Sequence, residues 1–129
     1  MLFVQTIVKI ADNTEGELGL CIGFLGNAGK IASAGDNIVI SVKKTLLNRK
    51  LVIKRKKKVI SGSVYKVIVI RTSYIRRRKE NFFFKNSTNA VAVLGNWGMP
   101  MGTRAKGPAH FELKISKFPK FASICEGVF

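Results

Sequence analysis

Few residues in this chain suit metal, acid–base or nucleophilic chemistry: seven Asp+Glu, one histidine and two cysteines. His110 stands alone, and no His/Cys/Asp/Glu set has metal-ligand spacing. The acids are scattered, with no evident carboxylate pair. There is no G-x-x-x-x-G-K-[ST] phosphate loop and no G-x-S-x-G nucleophile elbow. Cys21 and Cys125 sit in apolar settings and read as buried free thiols. The expectation is a protein that is not an enzyme, with no metal and no cofactor.

What the sequence offers in quantity is phosphate chemistry. It holds 23 Lys+Arg against 7 Asp+Glu, a formal charge of +16. The charge is concentrated: residues 43–85 hold sixteen basic residues with only Glu80 against them, whereas residues 1–42 hold two basic and four acidic ones. A block of this kind on a folded domain points first to nucleic acid and second to an anionic membrane. It divides into two arms, KKTLLNRKLVIKRKKK at 43–58 and YIRRRKENFFFKN at 74–86. The first contains five consecutive cations, which repel one another strongly when unpaired. In the second, arginines give forked donors for phosphate and aromatics can stack on bases or anchor a neighbouring protein. Three adjacent phenylalanines in an extended segment cannot all point inward. A third basic stretch, GMPMGTRAKGP at 98–108, is expected to be neither strand nor helix. Gly98, Gly102 and Gly107 can take conformations closed to other residues, and Pro100 and Pro108 stiffen the turn.

The elements that would position these groups are strands. Val4, Thr6, Val8 and Ile10 alternate with Phe3, Gln5, Ile7 and Lys9, which is period two. A turn over 11–17 follows. Leu18, Leu20, Ile22 and Phe24 then form one face of a second strand; Gly19, Cys21 and Gly23 form the other, small enough for another backbone to approach closely. A hairpin-like loop at 26–30 and Gly35-Asp36 precede a third strand, NIVISVKK. Val64–Thr72 is rich in β-branched residues, and Asn89–Leu94 makes a fifth strand. HFELKI, 110–115, is the place for a short helix. At 129 residues and 47% hydrophobic content the chain is one domain, 1–129, with a core of its own. No stretch reaches the roughly 18 apolar residues that would span a bilayer, and residues 1–13 lack the features of a signal or transit peptide. Five short strands joined by turns predict an all-β fold, a small closed barrel with projecting basic loops. A barrel of that size is filled by its own side chains, so function must sit on loops and the outer wall.

The ordered motifs ADNTEG (11–16), CI (21–22), GD (35–36), VIVIRT (67–72), NAVAVL (89–94), G-x-P-x-GTR-x-x-GP (98–108) and FPKFASIC (118–125) resemble the universal large-subunit ribosomal protein fourteen family, from about Gln5 to Val128. The resemblance implies a five-stranded barrel with short helical turns near the C-terminus. It implies binding to large-subunit ribosomal RNA on the face that meets the small subunit. It also implies contacts with neighbouring ribosomal proteins, an inter-subunit bridge to small-subunit RNA, and targeting by factors that block subunit joining. Three departures stand out. Segment 43–62 looks longer and more basic than the family pattern; Asn81 and Asn86 occupy places expected to hold a glycine and an aromatic; Trp97 and Met99 replace polar residues.

On this reading the RNA contacts of the first arm are Lys43, Lys44, Arg49, Lys50, Lys54, Arg55, Lys56, Lys57 and Lys58. Arg71 follows at the end of a strand, then Arg76, Arg77, Arg78, Lys79 and Lys85 in the second arm. Arg104, Lys106, Lys117 and Lys120 complete the set. Gly102, Thr103, Arg104, Gly107 and Pro108 form the subunit-interface turn. Phe82, Phe83, Phe84 and Trp97 are candidates for protein contact. Lys, Asn, Ile and Phe make up 46 of the 129 residues, and all have A/T-rich codons. With the absence of a targeting segment, this points to a protein made inside a mitochondrion and working in the matrix ribosome, with a plastid or bacterial cytoplasm as alternatives. Membrane insertion is not expected. The alternative of another class is a free single-strand-binding barrel, which would space its aromatics along one strand face.

Overall fold

The computed structural model describes residues 1–26, 29–46 and 59–129. Five strands close into a barrel: β1 (Ile7–Ile10), β2 (Gly16–Phe24), β3 (Asn37–Thr45), β4 (Val64–Arg71) and, after a small excursion, β7 (Ala90–Val93). The excursion is a hairpin of β5 (Arg76–Arg77) and β6 (Phe83–Phe84), antiparallel with Arg76 opposite Phe84. After β7 come β8 (Ala105–Ala109), the short helices α1 (Glu112–Ile115) and α2 (Lys120–Ile124), and β9 (Cys125–Val128). Neighbouring barrel strands pair antiparallel except at the seam, where β1 runs parallel to β7 with Lys9 opposite Ala90 and Ile10 opposite Val91. The expected all-β fold, closed barrel and short C-terminal helices are all present.

Val8, Ile10, Ile38, Ile40, Val42, Val67, Val69, Val91 and Val93 point into the barrel and fill it. A second core lies against the outside of β4 and β7, where Ile68, Ile70, Ala90 and Ala92 meet Leu113, Phe121 and Ala122 of the C-terminal helices. Burial on both faces explains why VIVI and AVAV read as unbroken apolar runs rather than as alternation. Beneath the helices, Ala105 and Ala109 of β8 add to this layer, and β8 pairs parallel with β9.

The structure corrects two strand readings. β1 begins at Ile7, because Val4 and Gln5 turn, Gln5 with φ 69°, and Val4 stays half exposed. In β2 the small-residue face points inward. Gly19 leaves room for the Ile40 side chain, whose Cδ1 would lie 2.6 Å from a Cβ added at Gly19, so the close approach is by a side chain and not by another backbone. A register shift between Cys21 and Gly23 then lets both Cys21 and Phe24 face the core, opposite Ile40 and Ile38, and turns Ile22 out. An extra residue in one strand has that effect.

Candidate nucleic-acid interface

Asp12, two residues beyond β1, is a buried acid in a strongly basic chain. Its Oδ2 accepts the Val93 N–H at 2.7 Å, and its Oδ1 accepts from both the hydroxyl and the N–H of Thr14. Burial pushes its carboxyl above the usual range, while those three donors pull it back. This network fixes Asn13, which grips the turn 102–104. Asn13 Nδ2 donates to Thr103 Oγ1 at 2.8 Å, and Asn13 Oδ1 accepts the Thr103 N–H at 2.9 Å. The Asn13 N–H reaches the Arg104 carbonyl at 3.1 Å, and the Lys106 N–H reaches that of Ala11 at 2.8 Å. Gly102 fits because an added Cβ would lie 2.7 Å from Asn13 Oδ1 and 2.9 Å from Asp12 Cβ. Of the three glycines expected to use unusual backbone conformations, Gly98 and Gly107 do, at φ +70° and +84°. Gly102 has no positive φ; its requirement is space.

The stretch 98–108 is likewise more ordered than a loop, since its second half is β8. Arg71 supports that strand from beneath: its guanidinium donates to the carbonyls of Lys106, at 2.8 Å, and Pro108, at 3.1 Å. A Cβ at Gly107 would lie 2.9 Å from the same guanidinium nitrogen, and the Gly107 N–H is held by Glu126 at 2.8 Å. Arg71, expected among the RNA contacts, is instead a support inside the protein. It is buried, its pKa is lowered by burial, and its donors serve the protein. Thr103, Arg104, Lys106 and Pro108 stand exposed on the frame so made, along a groove that continues to Ser123 and Glu126. The nearby Cys125 thiol is pushed up to about 11, chiefly by burial, and burial raises Cys21 too. Both are free thiols, and burial favours the protonated form of each.

The β5–β6 hairpin docks at the opposite end of β8. Glu112 of α1 holds it, with Oε1 3.2 Å from Arg76 Nε and Oε2 3.2 Å from an Arg78 guanidinium nitrogen. That nitrogen also donates to the Phe129 carbonyl at 2.6 Å. Phe84 turns inward between Arg78, 4.8 Å above its ring, and His110, whose ring meets it edge-on at 4.9 Å. His110 is fully buried. Its Nε2 lies 2.7 Å from Asn86 Nδ2 and 3.5 Å from the Thr72 N–H, so Nε2 is the acceptor and Nδ1 carries the proton. Burial lowers the pKa of His110, and Arg78 and Arg76 add to the shift; Glu112, 3.5 Å from Nδ1, opposes it.

This leaves Arg77, Lys79, Phe82 and Phe83 exposed on the hairpin; the three phenylalanines do not all point inward, and Phe84, expected with them as a candidate for protein contact, instead packs between Arg78 and His110. Lys43, Lys85, Lys117 and Lys120 are exposed, and Lys44 pairs with Glu17 at 3.0 Å. Arg49, Lys50, Lys54, Arg55, Lys56, Lys57 and Lys58 lie outside the described residues. The turn cations and the hairpin sit at the two ends of one five-residue strand, on the order of 15 Å apart at the usual rise. Sequence reasoning missed the groups that position them: Asp12, Asn13, Glu112 and Glu126. For the three acids the signal available was their rarity, since an acid in so basic a chain needs a reason; Asn13 carried none. Among the described residues no cluster of metal-ligating side chains occurs, and no helix is long and apolar enough to cross a membrane.

The family model for ribosomal protein L14p/L23e matches residues 1–129. The chain is 35% identical over 128 residues to the large ribosomal subunit protein uL14m of Acanthamoeba castellanii, an alignment covering 98% of each protein. It is 36% identical over 117 residues to the protein of the same name from Acanthamoeba polyphaga, covering 90% of this chain and 99% of that one. The barrel, the ADN-gripped turn and these matches across the full length agree: the chain belongs to the ribosomal protein L14p/L23e family.

Proposed function

We propose that this protein is a structural constituent of the large subunit of a mitochondrial ribosome in the matrix. It binds large-subunit RNA through its basic arms and presents Thr103, Arg104 and Lys106 at the subunit interface, where they join an inter-subunit bridge to small-subunit RNA. The observation that carries this reading is the frame of the turn. Its backbone is tied to Asn13, Arg71 and Glu126, while Arg104 and Lys106 face solvent. A cation held on a satisfied frame loses little freedom when it meets a phosphate. Phe82 and Phe83, about two-thirds exposed beside Arg77 and Lys79, suit a neighbouring ribosomal protein. Exposure of the turn also leaves it open to factors that oppose subunit joining. The role is architectural and not catalytic.

The test divides arm from turn. Replacing Lys54, Lys56, Lys57 and Lys58 with alanine should weaken RNA association and lower its log–log salt slope by about 3, because fewer phosphates are neutralised and fewer counterions are released. Base preference should barely move, since phosphate contacts position rather than read. On a high-salt gradient the wild-type protein should remain with the large subunit. Release there, as a free single-strand binder would show, refutes the reading.

A further inference from the structure

Trp97 has no structural reason to be a tryptophan. Its side chain is 99% exposed, and its backbone is left-handed at φ 60°, where Gly or Asn would sit at lower cost. The turn around it is nevertheless well fixed. The Gly95 N–H donates to the Met99 carbonyl at 2.7 Å and the Met99 N–H to that of Asn96 at 3.2 Å; a Cβ at Gly98 would meet the Phe118 ring at 2.4 Å. A rigid turn thus holds a large flat ring in water at the mouth of a cleft.

We propose that Trp97 is a stacking platform for an unpaired RNA nucleotide. The cleft beside it is lined by the aromatic residues Tyr65 and Phe118, by Asn37, Asn96 and Lys66, and by the aliphatic Leu25, Val64 and Leu94; no acidic residue lines it. The Asn37 side-chain oxygen is buried without a hydrogen-bond partner. Lys66 is exposed, and Lys117 and Lys120 flank Phe118 and Pro119 in sequence. Lys120 Nζ lies 3.0 Å from Met99 Sδ, on the turn itself. Asp36 lines the adjoining groove, and its carboxylate accepts from Ser33. Aromatic faces, amide edges and lysines without a counter-charge match a base with its phosphate. Apolar surface that a protein partner could use is present too, in Val64 at 59% exposed, Met99 at 44%, Leu25 and Leu94; what favours RNA is that the cations gathered here, Lys66 in the cleft and Lys120 on the turn, meet no acid in its lining. The match is therefore to RNA, and Trp97, expected from sequence to be a protein contact, is reassigned. The inference rests on the RNA-binding reading above but adds a specific site and ligand class.

Trp97 is the only tryptophan of the chain, so its emission reports on this site alone. The full-length protein would be titrated with a labelled single-stranded oligoribonucleotide, the same sequence as a duplex, and inorganic polyphosphate. Binding is followed by anisotropy or competition, and stacking by quenching. All three polyanions should bind, and only the single strand should quench. Trp97→Asn keeps the left-handed turn but lacks the ring; it should weaken single-strand binding about 5- to 100-fold and leave polyphosphate binding unchanged. Trp97→Phe should retain most of the affinity. Single-strand binding without quenching, or with unchanged affinity in Trp97→Asn, overturns the stacking role alone. The same holds if Trp97→Asn impairs only association with another ribosomal protein. Failure of every polyanion to bind overturns the RNA-binding reading beneath it.

Discussion

The turn at 102–108 and the β5–β6 hairpin both display cations, but they are anchored by different means. The turn is held through its backbone: Asn13, Arg71 and Glu126 bond to peptide groups of residues 103–108, and the side chains of Arg104 and Lys106 take no part in holding it. The hairpin is held through its own arginines, since Arg76 and Arg78 are the groups that Glu112 binds. The first arrangement separates support from display. The second uses cations for both, so on the proposed function an RNA phosphate would compete with Glu112 for the same guanidinium groups. The turn should therefore be a fixed contact and the hairpin an adjustable one.

The largest effect expected from breaking this contrast is that of Gly102→Val. The side chain must fit where a Cβ already lies 2.7 Å from Asn13 Oδ1, so the turn has to leave Asn13. The strain and broken hydrogen bonds should cost about 1–3 kcal/mol. The basic arms are untouched, so the large subunit should still incorporate the protein while subunit joining weakens on a gradient. Loss of incorporation would mean that the turn supports the fold rather than the interface.

Arg71→Met comes next. It removes the donor shared by the Lys106 and Pro108 carbonyls at a buried site, which should cost about 1–3 kcal/mol. Amide exchange should speed up over 105–109 and stay unchanged in the hairpin. Equal loosening of both would show that β8 transmits support between its ends and that the two regions are not independent.

Those two residues also mark how far the sequence could be read. The barrel was legible because strand periodicity and β-branched runs are local signals, as in VYKVIVIRT. The support of the turn was not, because its partners are remote: Asn13 and Thr103 are 90 positions apart. Arg71 reads as one more cation at a strand end until the carbonyls above it are seen. β8 was missed because Gly107 and Pro108 mark a loop by composition. Its partner, β9, is also parallel and separated from it by two helices.

Glu112→Gln should act more gently and on the hairpin alone. The pairs are partly exposed, with 40% of the Arg76 side chain and 28% of that of Arg78 open to solvent. The loss should be about 0.5–1 kcal/mol, near the upper end for surface ion pairs. Exchange should quicken over 76–84, and RNA affinity should hold or rise as two guanidinium groups are freed. A weaker hold on RNA would mean that Glu112 preorganises these arginines rather than competing for them.

The smallest effect is a pH dependence that again separates the two regions. Burial lowers the pKa of His110 in the folded protein below its ordinary 6.5. Between the folded value and 6.5 the unfolded chain therefore binds more protons, and stability rises with pH in that window. The contribution is fully present above about 6.5 and is lost as the pH falls toward the folded value. Protonation turns Nε2 from acceptor to donor, facing Asn86 Nδ2 and the Thr72 N–H, which are donors themselves. The base of the hairpin should loosen first on acidification, with the turn held. His110 is the only histidine, so His110→Gln, which keeps an acceptor but cannot titrate, isolates the effect. Urea midpoints measured at pH 7.5, 6.5 and 5.5 should fall in the wild type relative to this variant, with exchange quickening around Phe84 and Asn86. Parallel curves for the two proteins would show that Glu112 compensates the imidazolium fully, making the hairpin's anchor as insensitive to acid as the frame of the turn.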